Sequence, residues 1–151
     1  MCGIIGINSN KPVSATIINS LKKLEYRGYD SAGIATLSNG LINEIKSEGR
    51  VNNLEKNSLV QNMEGTIGIG HVRWATHGIP NSVNAHPHSS QNVSVVHNGI
   101  IENSTLLKKF LNNIPSAKLP FNFFNVLKTE LSGSLSFKAS VIRNVITSVS
   151  V

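Results

Sequence analysis

The sequence has a single cysteine and no long apolar run. One cysteine cannot form an internal disulfide, which argues against the cross-linked scaffolds of small secreted domains. No apolar stretch reaches the roughly 20 residues that cross a bilayer. The first residues also lack a charged leader followed by an apolar segment and a cleavage site. We therefore expect a cytoplasmic location and no membrane partner.

Acidic and aromatic residues are scarce. The chain carries 14 Lys and Arg against 8 Asp and Glu, giving a formal net charge of +6, and 5% of its residues are aromatic. Excess positive charge is one signal for a nucleic-acid partner. Here the basic residues are spread along the chain, without the basic stripe and interleaved aromatics of a nucleic-acid groove. We therefore predict no nucleic-acid partner.

The 151 residues fit one domain with a core of its own. Apolar patterns predict strands at residues 2–7, 34–37, 41–45, 67–72 and 93–96. They predict helices at 51–63 and 102–110, and another that a Ser14 cap begins and that ends near residue 24. The Asn39-Gly40 pair predicts a hairpin, and residues 76–91 predict a long polar loop. This order indicates α and β elements with much antiparallel pairing.

Cys2 is notable for its position. If Met1 is removed, the thiol and the α-amine belong to the same residue, and an α-amine titrates near pH 7.7–8.0 in a free chain. Such an amine can activate its own side chain as a nucleophile without a histidine partner. The alternative is an inert, buried cysteine in a strand, and the position alone leaves the two readings about equally weighted.

All five histidines lie between residues 71 and 97. His86-Pro87-His88 resembles a pair of metal ligands. The spacing matches no usual zinc pattern, and the only cysteine is far away in sequence. Hydrogen-bonding histidines are therefore the favoured interpretation, and we predict no metal site.

Two further segments follow predicted strands. Arg73 at a strand end can bind a carboxylate with two parallel hydrogen bonds, and Trp74 beside it can cover a small substrate. Asn98 and the backbone N–H of Gly99 can form an oxyanion hole. Each segment also has an ordinary structural interpretation, as a surface arginine beside a core tryptophan and as an Asn-Gly turn.

Taken together, five ordered motifs are far more specific than any one of them. They are MCGIIG at 1–6, LEYRGYDSAG at 24–33, GHVRWATHG at 70–78, NAHPH at 84–88 and HNGIIEN at 97–103. They resemble the class II glutamine amidotransferases, and among these most of all the glutamine–fructose-6-phosphate aminotransferases. The resemblance implies an α+β fold, the αββα sandwich of the N-terminal-nucleophile hydrolases, incomplete at the C-terminal end. It covers residues 1–112 as a partial glutamine amidotransferase domain.

The resemblance also implies roles for individual residues. Cys2 would attack the carboxamide of glutamine and form a thioester, while Asn98 and Gly99 hold the oxyanion. The substrate α-carboxylate would lie on Arg73. The further residues that the resemblance implies around substrate and N-terminus are Trp74 as a cover, Thr76 and His77 as aids to Arg73, and Arg27 as a support for the N-terminus.

The same resemblance implies glutamine as the substrate, and neither a metal nor an organic cofactor. The ammonia released would aminate fructose 6-phosphate in an isomerase half that this sequence does not contain. Homo-oligomerisation stays open.

Residues 113–151 depart from the family pattern. They contain seven serines and one acidic residue, Glu130, and we interpret them as a diverged or frameshifted tail of uncertain fold. The family binds the substrate α-ammonium with an aspartate that follows the HNGIIEN motif, yet this chain has no aspartate after Asp30. A second interpretation is therefore a non-catalytic remnant that acts as a binding module or has no function.

Overall fold

A computed structural model describes residues 1–75, 79–90, 93–99, 103, 105–107, 109 and 139–143. Within these ranges, the secondary structure consists of two antiparallel sheets and a set of short helices. The longest helix has 11 residues. None of the described helices is long and apolar enough to cross a membrane.

The larger sheet contains four strands in the order β1-β4-β2-β3, and all its pairings are antiparallel. The strands are β1 (Gly3–Asn8), β2 (Ser31–Ser38), β3 (Leu41–Glu48) and β4 (Ile67–Arg73). The predicted strands at 2–7, 34–37, 41–45 and 67–72 are confirmed, with β2 starting three residues earlier and β3 ending three residues later.

A two-residue turn joins β2 to β3, as the Asn39-Gly40 pair predicts. Both residues have positive φ, 50° at Asn39 and 76° at Gly40. Two consecutive positive φ angles are typical of the type I′ turn, whose twist matches that of antiparallel strands. The turn fixes the register in which Ser38 pairs with Leu41 and Ser31 with Glu48.

The smaller sheet has the order β5-β6-β7, also antiparallel. β6 (Val93–His97) agrees with the predicted strand at 93–96. β5 (His88–Ser90) lies inside the segment 76–91 that was predicted to be wholly loop, so that prediction is wrong at its end. β7 (Ala139–Arg143) comes from the serine-rich region and pairs with β6.

The helices lie beside the larger sheet. α1 (Ser14–Leu24) has the predicted bounds, and a 3₁₀ turn at Glu25–Arg27 follows it. The single helix predicted at 51–63 is wrong. The chain forms α2 (Val51–Glu55) and α3 (Ser58–Gln61) because Asn57 leaves the helical conformation and its side chain accepts the Leu59 N–H at 3.0 Å, which caps a new helix.

Ser14 does not cap α1, contrary to the prediction. The N-cap position is Val13, and no side chain caps the helix. The Ser14 hydroxyl is buried and donates to the Met63 carbonyl at 3.2 Å. Burial against the end of the α3 segment thus replaces the local capping bond, and the hydroxyl links two parts of the helical layer.

The two faces of the larger sheet are buried differently. On one face, α1 packs Ile17 and Leu21 over β4, where Gly68 and Gly70 leave the space that these side chains fill. On the other face, Ala35 and Ile69 pack with Val96 of the smaller sheet. The architecture over the described residues is therefore a helical layer, a sheet and a second sheet. Of the predicted third helix at 102–110, the structure describes residues 103, 105–107 and 109, where 105–107 are helical and the Leu107 N–H donates to the Asn103 carbonyl at 3.0 Å. Most of the tail lies outside the described residues.

Candidate active site

The sequence-predicted site residues that the structure describes lie at one end of the two sheets. Gly3 pairs with Val72 and Ser31 pairs with Arg73, so the start of β1, the start of β2 and the end of β4 share an edge. Asn98 follows directly after β6. Cys2 lies one residue before β1 at the same edge and is half-buried.

The sulfur of Cys2 faces the backbone of Trp74. The Trp74 N–H donates to Sγ at 3.3 Å, and Sγ lies 3.8 Å from the Trp74 carbonyl oxygen. A backbone N–H aimed at sulfur stabilises negative charge that develops there. The end of β4 thus presents a fixed dipole to the only thiol of the chain.

The carbonyl oxygen of Cys2 accepts two hydrogen bonds. Arg27 Nε donates at 3.1 Å and Asn98 Nδ2 donates at 3.0 Å. The donors come from the 3₁₀ turn after α1 and from the end of β6, so two distant segments hold one peptide group. This arrangement fixes the backbone of residue 2 and places a guanidinium charge beside it.

Arg73 and Asn84 converge on one carbonyl. Arg73 Nη1 approaches the Ile79 oxygen at 3.4 Å, and Asn84 Nδ2 donates to the same oxygen at 2.9 Å. Asn84 is itself held through its backbone N–H, which donates to Asn81 Oδ1 at 2.8 Å. Residues 79–84 therefore fold back beside the Arg73 side chain. Thr76 and His77 lie outside the described residues.

Trp74 is partly open to solvent, with 42% of its surface exposed. Tyr29 packs edge-on against it, with ring centroids 5.4 Å apart and an interplanar angle of 71°. The Arg50 guanidinium covers the Tyr29 ring at 5.3 Å from the centroid and also contacts Glu25 Oε2 at 2.9 Å. The indole thus packs against a tyrosine ring that Arg50 also contacts.

Sequence reasoning assigned no role to Gly28 or Asp30, and both contact the Arg73–Trp74 segment. A Cβ atom on Gly28 would lie 2.5 Å from the Arg73 carbonyl carbon. Asp30 Oδ2 accepts the Ala75 N–H at 2.6 Å. One available signal was that Asp30 is the only aspartate of the chain and directly precedes a strand, since loop aspartates often accept backbone N–H groups.

Three histidine rings pack against one another, one pair tilted at 40° and the other edge-to-face at 69°. His86 lies 4.5 Å from His71 and 4.6 Å from His88 between ring centroids. Over the ranges that the structure describes, no group of three or more His, Cys, Asp or Glu residues has the geometry to hold a metal ion. The His86 carbonyl comes so close to β2 that a Cβ on Gly33 would lie 2.2 Å from its oxygen.

Apart from the Cys2 edge, a cleft of about 500 Å³ lies between β3 and the segment that leads into β5. Its polar side chains bind one another: Lys46 contacts Glu44 at 3.1 Å, and Ser89 contacts both Glu44 and Ser94. Among the described residues, none of the site residues named from the sequence lines this cleft. The Cys2 edge is therefore where the predicted residues converge.

Comparisons with known proteins bear on the family and the fold of the chain. No model of a known protein family matches the sequence. The glutamine–fructose-6-phosphate aminotransferase [isomerizing] of Mesorhizobium japonicum is 55% identical over 108 residues, which cover 72% of this chain and 18% of that protein. The protein of the same name from Brucella abortus is 56% identical over 111 residues, covering 74% and 18%. The chain thus spans about a fifth of the length of these relatives.

Solved structures resemble the chain over a longer stretch. The glutamine phosphoribosylpyrophosphate amidotransferase from B. subtilis superimposes with a TM-score of 0.71 at 21% identity, covering 95% of this chain and 35% of the other. A structure described as the allosteric regulatory enzyme of purine biosynthesis gives 0.74 at 22% identity, covering 95% and 36%. At this identity the likeness establishes the fold, which is that of an N-terminal-nucleophile glutamine amidotransferase. Through its matched residues, the chain belongs to the glutamine–fructose-6-phosphate aminotransferase family.

Proposed function

We propose that this chain hydrolyses glutamine to glutamate and ammonia, with Cys2 as the nucleophile. The observation that carries the proposal is the position of Cys2. Its sulfur faces the Trp74 N–H at 3.3 Å, and its carbonyl is held by Arg27 and Asn98. A strand-end cysteine that only filled space would not need three donors from three separate segments around one residue.

The reaction requires that Met1 is removed, and 77% of its surface is exposed. The freed α-amine of Cys2 then takes the thiol proton while sulfur attacks the carboxamide carbon. The C–N bond breaks as the amine returns a proton to the leaving nitrogen, which departs as ammonia. Water then attacks the thioester carbon, the C–S bond breaks, and glutamate and the free thiol are restored.

The tetrahedral oxyanion would be held beside Asn98. One hydrogen of the Asn98 amide is engaged by the Cys2 carbonyl, which leaves the second for an oxyanion. The Gly99 N–H comes directly after it at the end of β6. Because the bond to Cys2 fixes the amide plane, its remaining N–H is oriented before substrate arrives, which is the condition for efficient oxyanion stabilisation.

Arg73 would bind the α-carboxylate of glutamine. Its Nη1 lies 3.4 Å from the Ile79 oxygen, and a guanidinium offers five N–H donors in a planar fork that matches a carboxylate. Thr76 and His77 follow three and four residues later and would add donors. Trp74, held by Tyr29, would cover the bound substrate. Arg27 serves as the support for the N-terminal residue through its bond to the Cys2 carbonyl.

The ammonia would serve the amination of fructose 6-phosphate to glucosamine 6-phosphate, in a polypeptide region beyond the residues that match here. The domain we propose for glutamine hydrolysis comprises residues 1–112, and a cytoplasmic location fits this substrate. A second candidate is glutamine binding without turnover. It is favoured by the absence of any aspartate after Asp30, whose own carboxylate is engaged by Ala75.

Glutamate release from glutamine tests the proposal, with intact mass used to establish that Met1 is absent. We expect release from the wild-type chain and none from Cys2→Ala. Cys2→Ser is the matched control for size, and we expect it to fold like the wild type and to release little. A folded, processed wild-type chain that releases no glutamate would refute the proposal.

The binding-module alternative has its own measurement. Calorimetric titration of the Cys2→Ala chain with glutamine at millimolar concentration reports binding without turnover. Heat of binding in a chain whose wild type is inactive would favour the alternative. No heat and no turnover would exclude both functions.

A further inference from the structure

Asp30 makes three hydrogen bonds at this edge of the site, each to a backbone group of another described residue. Its Oδ2 accepts the Ala75 N–H at 2.6 Å, its own N–H donates to the Arg73 carbonyl at 3.1 Å, and its carbonyl accepts the Gly49 N–H at 2.8 Å. Two of these three hydrogen bonds are made to Arg73 and Ala75, the residues immediately before and after Trp74. Asp30 therefore holds both peptide groups that flank Trp74.

The opposite ends of those two peptide groups face Cys2. In a trans peptide the C=O and the N–H point in opposite directions. In the peptide that joins Arg73 to Trp74, the carbonyl accepts the Asp30 N–H and the N–H donates to Cys2 Sγ at 3.3 Å. In the peptide that joins Trp74 to Ala75, the N–H donates to the Asp30 carboxylate and the carbonyl oxygen lies 3.8 Å from the same sulfur.

We propose that Asp30 is a positioning residue that fixes the orientation of the two peptide groups facing the Cys2 sulfur. If the carboxylate is lost, the Ala75 N–H loses its partner and the peptide groups can rotate, so the Trp74 N–H no longer stays on sulfur. The proposal builds on the function assigned to Cys2 above, but it concerns the geometry around the thiol and can be measured without turnover.

The neighbouring backbone supports this role. Gly28 lies flat against the same peptide group, since a Cβ there would be 2.6 Å from the Arg73 oxygen and 2.7 Å from the Trp74 nitrogen. The loop from Gly28 to Asp30 therefore follows the end of β4 closely over its length. Asp30 supplies a carboxylate to this contact, and charge-assisted hydrogen bonds are the stronger kind.

The chain is suited to a direct test, because it has one cysteine and one tryptophan, both at the contact in question. The rate of iodoacetamide alkylation reports on Cys2 alone, and the intrinsic fluorescence reports on Trp74 alone. Alkylation at pH 7 is compared with alkylation at pH 10, where ordinary thiols are ionised. The ratio of the two rates separates loss of thiolate stabilisation from a change in access to the sulfur.

We expect Asp30→Ala to lower this ratio about tenfold, the loss typical of one hydrogen bond to a charged group. It should also shift the Trp74 emission. Asp30→Asn keeps an acceptor of the same size without the charge, so we expect a smaller decrease of about threefold. The matched control is Glu55→Gln, which removes an exposed carboxylate that binds Lys22 at 2.7 Å in the helical layer. It should leave both readouts at the wild-type values.

A folded Asp30→Ala chain with the wild-type rate ratio and emission would overturn the proposal. If Asp30→Ala does not fold, Asp30→Asn decides, and an unchanged ratio in that variant overturns it equally. An equal change in Glu55→Gln would also overturn it, since a general loss of stability would then explain the result. Absence of glutamine hydrolysis in the wild type would refute the proposed function and leave this test intact.

Discussion

Replacing Gly28 with alanine adds one methyl group between the loop that follows the 3₁₀ turn and the end of β4. The Cβ would lie 2.5 Å from the Arg73 carbonyl carbon, 2.6 Å from its oxygen and 2.7 Å from the Trp74 nitrogen. All three are backbone atoms of a paired strand end, so no rotamer change can relieve the contact. The backbone of Gly28 is extended, with φ of −177°, so alanine adds no conformational strain.

The size of the effect follows from these distances. Ordinary contact begins at 3.4 Å, so the two segments must separate by about 0.9 Å at the closest pair. Overpacking by one methyl group costs typically about 1–3 kcal/mol, and we expect the upper half of this range because only backbone can move. A displacement of that size also moves the Trp74 N–H, which lies 3.3 Å from Cys2 Sγ.

Urea unfolding measures the cost, and iodoacetamide alkylation of Cys2 measures the displacement. Gly6→Ala is the matched control, since its Cβ would meet only Ile69 Cγ2, at 3.9 Å. We expect Gly28→Ala to lower the free energy of unfolding by about 2–3 kcal/mol, and Gly6→Ala to change it by under about 0.5 kcal/mol. A Gly28→Ala chain as stable as Gly6→Ala, with wild-type alkylation, would refute the close contact.

Three further changes test the core, the N-terminal support and the substrate cover. Leu54→Ala should lower the free energy of unfolding by about 2–5 kcal/mol because the side chain is fully buried. Leu59→Ala, at 64% exposure, should change it by under about 0.5 kcal/mol in the same urea titration. Arg27→Ala should slow glutamate release about tenfold by freeing the Cys2 carbonyl, and an unchanged rate would contradict that role. Tyr29→Ala should shift the Trp74 emission, whereas Tyr29→Phe keeps the ring contact and should not.

Local signals predicted the parts of the fold that depend on local chemistry. The Asn39-Gly40 pair predicted the hairpin because few other residues adopt two consecutive positive φ angles. The apolar pattern at 67–72 predicted β4, which the structure has at Ile67–Arg73. Each of these features is set by residue types close together in the sequence, so pattern and structure agree.

Elements that depend on distant partners were not predictable in the same way. β5 has only three residues, too few to show a strand pattern in the sequence. It is a strand because it pairs with β6. The break between α2 and α3 depends on Asn57 acting as a cap in a segment whose apolar pattern continues through it. Serine is a residue type that often caps helices, but the Ser14 hydroxyl is buried and donates its hydrogen bond to the Met63 carbonyl. At β5 and Ser14 a tertiary contact overrides a local preference. The Asn57 cap is instead a local bond to Leu59, which the continuing apolar pattern hides.

The site shows the same division. The motifs identified Cys2, Arg27 and Asn98, and the structure brings all three together around one peptide group. They could not identify Asp30, because its partner Ala75 lies 45 residues away and offers only a backbone N–H. A backbone donor leaves no trace in the sequence. Residues that hold other residues in place are therefore harder to predict than those whose side chains carry the chemistry.

The binding of the substrate ammonium is where the sequence and the family pattern disagree. The resemblance implies an aspartate after the HNGIIEN motif, this chain has none there, and the Asp30 carboxylate accepts the Ala75 N–H at 2.6 Å. We therefore expect weak recognition of the α-ammonium group. Glutaramate is glutamine without its α-amine, so the ratio of kcat/KM for glutamine to kcat/KM for glutaramate measures the contribution of ammonium recognition. A carboxylate in contact with the ammonium would favour glutamine by about one to two decades in kcat/KM. We expect a ratio under about threefold, and a ratio of 30 or more would show that another acidic group takes the place of the missing aspartate.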